Sequence, residues 1–231
     1  MIKRILVPTD FSEQARYAYE VAIAIAKQTG AAIKLLHAVE VPYGSGFSAT
    51  GDLTVQPSSM EHVFVLQLLE KTKADIAHLV NSFDHEGVDV VHQVEVNKPI
   101  NQIRKTIKED AVDLVVMGSK GSSGLDEFLL GSNTEKVVRT ADCPVLTVKR
   151  RDPDFTVNEI VLASDFKREI RHAMEQFKRF QAMFGARLHL VYINTPGAFE
   201  SSSSISKKLE HTAQKYGLQN YTINVYNDVM E

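Results

Sequence analysis

The run Val112-Asp113-Leu114-Val115-Val116-Met117 is apolar at five of six positions, the pattern of a strand buried on both faces of a parallel sheet. It opens directly into Gly118-Ser119-Lys120-Gly121-Ser122-Ser123-Gly124, and the stretch closes at Gly131-Ser132-Asn133, ahead of a helical pattern. A strand with no polar face must lie inside a sheet covered by helices, and a loop leaving its carboxyl end lies where open α/β sheets bind ligands. Ser132 predicts a helix N-cap, with Glu135 as its reciprocal partner in a capping box. The backbone N–H groups of Gly131, Ser132 and Asn133 are then expected to face outward with the positive helix end behind them. Glycines at 118, 121 and 131 allow the backbone to approach a bulky oxyanion that a Cβ would block. The stretch reads as an anion seat.

Spacing excludes two glycine-rich alternatives. No Gly-Lys-Ser/Thr follows where a P-loop needs it, and the first strand-to-helix turn, near Pro8, has no glycine for a dinucleotide fingerprint. The spacing Gly118-x2-Gly121-x9-Gly131-Ser132 resembles the nucleotide-binding motif of the universal stress protein family. So do Leu6-Val7-Pro8-Thr9-Asp10-Phe11-Ser12 before it and Cys143-Pro144-Val145-Leu146-Thr147-Val148-Lys149 after it, three motifs in family order. The resemblance runs through residues 2–150 and, more weakly, 157–226. It implies an α/β fold of the adenine nucleotide alpha hydrolase-like kind: an open parallel five-stranded sheet of order 3-2-1-4-5 with helices on both faces.

The resemblance also implies a site. Pro8, Thr9 and Asp10, with Ala38 at the end of the second strand, match positions that surround adenine and ribose. Met117, Gly118, Lys120 and Gly121 match those that approach ribose and phosphates, and Gly131, Ser132 and Asn133 those that receive the phosphates. The chemistry agrees: a carboxylate such as Asp10 accepts from a base amino group or a ribose hydroxyl, and Lys120 adds a point charge. Asp10 is equally suited to helping Ser12 cap the first helix. Before Pro99, where the family often carries glycine, the chain has Asn97-Lys98, and asparagine tolerates a left-handed turn.

Periodicity predicts the remaining elements. Ile2 to Val7 reads as a strand, followed by a helix capped by Ser12 and closed by Gly30, then a strand from Ile33 to Val39. Val41 to Ser59, rich in Gly, Pro, Ser and Thr, reads as a loop placed where a lid would sit. A helix over 60–84, a strand over 88–96, helices over 99–109 and 133–140 and a strand over 144–149 complete the first domain.

Shifting the sequence by 155 positions aligns Ile5-Leu6-Val7-Pro8-Thr9-Asp10-Phe11 with Ile160-Val161-Leu162-Ala163-Ser164-Asp165-Phe166, and nine of the 34 positions from 5 to 38 are identical without a gap. The expected organisation is therefore a complete domain over 1–150 and a partial second copy over 157–231 joined by the polar linker 150–158. By the 3-2-1-4-5 order the second copy lacks its fourth and fifth strands and the glycine loop, so it is not expected to bind nucleotide alone. The resemblance further implies pairing of such domains through the fifth strand, here Val145 to Val148, and a homodimer is expected.

Net charge of −3 and the absence of any Lys/Arg block exclude a general nucleic-acid or anionic-membrane binder. The N-terminus has no apolar core of signal-peptide length, and Cys143 is the only cysteine, so a cytoplasmic location without disulfides is expected. The eight histidines match no metal or catalytic spacing and are treated as packing or surface residues, so neither catalytic residues nor metal ligands are assigned. The expected function is ATP binding, with or without Mg²⁺, in a nucleotide-dependent stress-response module. The alternatives are a slow ATPase or adenylate-handling hydrolase using the same seat, and a dimerisation module whose glycine loop takes no nucleotide.

Overall fold

The computed structural model describes residues 2–41, 59–120, 131–166, 170–195 and 199–227. The chain divides into two compact units, Met1–Phe155 and Thr156–Glu231.

Unit 1 runs β1 (Arg4–Pro8), α1 (Glu13–Thr29), β2 (Ala32–Val39), α2 (Ser59–Asn81), β3 (Val90–Val96), α3 (Pro99–Glu109), β4 (Leu114–Gly118), α4 (Ser132–Thr140) and β5 (Val145–Val148). The strands form one parallel sheet of order β3-β2-β1-β4-β5, as expected. Every residue of β4 is buried, which is why its sequence carries no alternation. Leu6, Leu36, Val115 and Met117 pack against Ile103 and Ile107 of α3 and Val137 of α4. The alternate residues Ile5, Val7, Leu35, Leu114 and Val116 are equally buried on the other face, the side of α1 and α2. Ser12 caps α1 by accepting from the Ala15 N–H at 3.3 Å, and Gly30 closes it at φ 72° with its N–H on Ala26 O, as the sequence predicts. The long second helix ends at Asn81, short of the expected Asp84. The Ser82 and Phe83 N–H groups turn back to Leu79 O and Val80 O at 3.2 and 3.3 Å, the tight closure of a last turn.

Unit 2 contains β6 (Glu159–Ala163), α5 (Arg171–Phe184), β7 (Arg187–Asn194), α6 (Ser202–Tyr216) and β8 (Tyr221–Asn227), with a three-stranded parallel sheet of order β6-β7-β8. Its register repeats that of unit 1: Ile5 pairs with Ile33 and Ile160 with Leu188, twenty-eight residues apart in each case. The turns after β1 and β6 also agree. Thr9 Oγ1 accepts from the Phe11 N–H and Ser164 Oγ from the Phe166 N–H, both at 3.1 Å, and the two phenylalanines take φ of 63° and 51°. Leu162, Leu188 and Leu190 pack with Met174 of α5 and with Ile205 and Leu209 of α6. Both helices thus cover one face, while Val161 and Ile193, of opposite parity, are 59% and 52% exposed.

Candidate functional site

In unit 1 a crevice opens at the carboxyl ends of β1, β2 and β4, the switch point where the crossovers diverge. Its volume is about 170 Å³, room for a multi-atom ligand rather than one water. Of the eleven residues singled out in the sequence, ten line it: Pro8, Thr9, Asp10, Ala38, Met117, Gly118, Lys120, Gly131, Ser132 and Asn133. The eleventh, Gly121, lies outside the described residues, as does nearly all of the expected lid over 41–59.

The β1 side is built by hydrogen bonds from the chain itself. The Thr9 N–H donates to Leu36 O at 2.8 Å, which extends the β1–β2 pairing past Pro8. Asp10 Oδ1 then accepts from the Ser12 N–H at 3.0 Å. The carboxylate therefore has the capping role anticipated for it, on a residue exposed at the crevice wall.

On the β4 side three expectations need correction. The first is the capping box. The N-cap of α4 is Gly131, extended at φ −59° and ψ 144°, without a side-chain cap bond, and Ser132 is the first helical residue. Glu135 pairs instead with Arg139 one turn on, at 3.1 Å. The second correction follows from the first: the Gly131 N–H donates to Ser119 O at 2.9 Å and so is taken. The helix-end donors without an intrahelical acceptor are those of Ser132, Asn133 and Thr134. The third concerns Gly118. A Cβ there would meet Gln14 Cβ at 2.9 Å, Gln14 C at 3.0 Å and Ala15 N at 3.1 Å, so the missing side chain admits the first turn of α1 rather than a ligand. Asn97 likewise does not take the left-handed turn considered for it; among the described residues only Phe11, Ala111, Phe166 and Asn220 do so without being glycine. It instead accepts from the Lys98 N–H at 2.8 Å and donates to Gln102 Oε1 at 3.1 Å.

Residues not foreseen complete the wall: Ala15, Leu36, His37, Pro99, Ile103 and Thr134. Buried Thr134 donates from Oγ1 to Gly118 O at 2.9 Å, tying the start of α4 to the end of β4. His37 is held by Thr9 O at 2.7 Å and stands 4.7 Å from the Phe11 ring. Histidine at a strand end has no spacing signature, so only the fold could bring it here. Among the described residues no group of three or more His, Cys, Asp or Glu side chains is arranged to hold a metal ion, and no helix is long and apolar enough to cross a membrane. The arrangement can accept hydrogen bonds on its β1 side and receive an anion on its β4 side, where Lys120 stands beside a positive helix end.

The model of the universal stress protein family matches residues 1–149. The chain is 32% identical over 158 residues to universal stress protein MJ0577 of Methanocaldococcus jannaschii, spanning 66% of this chain and 98% of that protein. It is 30% identical over 153 residues to universal stress protein YxiE of Bacillus subtilis, spanning 64% of this chain and all of that one. The solved structure of MJ0577 matches with a TM-score of 0.54 and 31% identity over 66% of this chain and 99% of its own. A universal stress protein structure from Archaeoglobus fulgidus matches 98% of this chain and 79% of its own with a TM-score of 0.65 and 19% identity, a likeness of fold.

Proposed function

The chain belongs to the universal stress protein family, and from that premise we propose that it is an ATP-binding member in which nucleotide occupancy tunes conformation or assembly. The observation that carries this reading is the meeting, in one crevice at the switch point, of the Asp10 carboxylate, the Lys120 ammonium and the N-terminus of α4. Asp10 would accept from a ribose hydroxyl or the base amino group, with Pro8, Thr9 and Ala38 bounding the base. The N–H groups of Ser132 and Asn133 and the charge of Lys120 would receive the phosphates, beside Met117, Gly118 and Gly131; Gly121 joins this set on the family resemblance alone. Mg²⁺ would arrive with the phosphates, whose oxygens suit it. Occupancy rather than turnover is the functional event in this reading.

Residues 157–231 are on this reading a second copy of the same plan, supported by the shared strand register and turn geometry. Assembly through the β5 edge, Val145–Val148, fits its half-buried apolar residues and its place at the end of the sheet, and the cytoplasm is the proposed location. Mass spectrometry of the purified, denatured protein tests the function: ATP should be found with it. ADP or AMP alone would shift the reading to a hydrolase. A protein that carries no nucleotide and shows no calorimetric binding of ATP would overturn it.

A further inference from the structure

His37 stands at the end of β2, half-buried in the crevice wall between Leu36 and Ala38. A carbonyl oxygen can only accept, so at 2.7 Å from Thr9 O it is Nδ1 that carries the hydrogen and donates it. The same ring lies 4.7 Å from the Phe11 ring, tilted by 35°. Phe11 is held at φ 63°, the left-handed region that a residue with a Cβ rarely adopts. One imidazole therefore touches the residues on either side of Asp10: a hydrogen bond to the residue before it, a ring contact with the residue after it.

Unit 2 separates the demands of folding from those of binding. The same turn forms there, with Phe166 at φ 51° and Ser164 in the place of Thr9, yet the position that corresponds to His37 is Tyr192. The turn itself does not need an imidazole. What the histidine adds in unit 1 is a donor that fixes the plane of the Thr9–Asp10 peptide, beside a crevice whose opposite wall, β4 and α4, has no counterpart among the described residues of unit 2. We propose that His37 is a positioning residue for the bound nucleotide: acting through the Thr9 carbonyl, it holds the Asp10 carboxylate in one place on the base-and-ribose side of the crevice. This inference rests on the ATP-binding reading above.

Two substitutions separate the contacts. In His37→Phe the ring against Phe11 is kept and the donor is lost; in His37→Asn an amide N–H can occupy the place of Nδ1–H. By calorimetry, His37→Phe should bind ATP about tenfold more weakly, the scale of one lost hydrogen bond, and His37→Asn should come within about threefold of the parent. Affinity for inorganic triphosphate, which needs only the α4 side, should be the same in all three. Unchanged ATP affinity in His37→Phe overturns the inference, as does equal weakening towards ATP and triphosphate, or an asparagine variant no better than phenylalanine. A parent protein that binds no ATP instead overturns the reading on which the inference rests, and the inference falls with it.

Discussion

The turns after β1 and after β6 share a backbone and differ in what surrounds them. Each starts from a strand paired in the same register, each is pinned by a hydroxyl accepting from a phenylalanine N–H, and each carries an aspartate in between. In unit 1, β1 is flanked on its far side by β4, whose carboxyl end and following helix supply the opposite wall of a crevice. In unit 2, β6 is an edge strand among the described residues. There Lys208 donates to Asp165 O at 3.1 Å and lies 5.8 Å from the Tyr192 ring, so a side chain from α6 covers the turn. The Thr/Ser-Asp-Phe turn is thus a property of the strand–helix junction. The second wall, and with it the seat proposed for an anionic ligand, comes from β4 and α4.

The largest expected effect breaks the junction on which this difference depends. Gly118→Val would drive a branched side chain into the Gln14 and Ala15 backbone, where even a single Cβ meets atoms at 2.9 to 3.1 Å. A loss of about 3 kcal/mol in urea unfolding of unit 1 is expected, and a neutral variant would mean that α1 can retreat from β4.

A smaller effect sharpens the contrast between the two aspartates. Asp10→Ala should weaken ATP binding by roughly 10- to 30-fold, the scale of a hydrogen bond to a charged group, whereas Asp165→Ala should change it less than about twofold. Equal losses in calorimetry would contradict the assignment of binding to unit 1.

The smallest effect concerns the cores. Tyr19 is fully buried in unit 1, its hydroxyl has no partner among the described residues, and desolvation pushes its pKa up to about 12. The matching position in unit 2 is Met174, equally buried. Because the folded pKa lies above the ordinary value of 10.0, the unfolded chain releases this proton first. The stability tied to the neutral phenol is complete below about pH 10 and drains away as pH rises towards 12. Tyr19→Phe should gain about 1 kcal/mol at neutral pH and flatten the alkaline decline of unit 1 between pH 10 and 12, measured by denaturant titrations at each pH. An unaltered alkaline profile would place the sensitivity elsewhere, for example at Cys143, whose thiol is pushed up to about 11 chiefly by burial.

Most of this fold was legible because its signals are local: the apolar run of β4 and the Ser12 and Gly30 caps each follow from near neighbours in sequence. The crevice was legible where its residues sit at strand ends, which topology alone brings together. What sequence reasoning missed depended on contacts between distant segments. Ser132 is the better N-cap by propensity, but the Ser119–Gly131 hydrogen bond fixes the chain path so that glycine takes the cap. Gly118 suggested room for a ligand, and α1 fills it. His37 and Thr134 carry no spacing signal because each acts on the backbone of a distant segment, Thr9 and Gly118 respectively.

That hydrogen bond between Ser119 O and Gly131 N also joins the residue after β4 directly to the residue before α4, at 2.9 Å. The cost of closing a chain grows only with the logarithm of its length, about 0.6 kcal/mol per doubling, so the number of residues between two such elements bears little on how they are held. The strand and the helix that frame this wall of the crevice are clasped to each other by the Ser119–Gly131 backbone bond and by the Thr134 hydroxyl on Gly118 O.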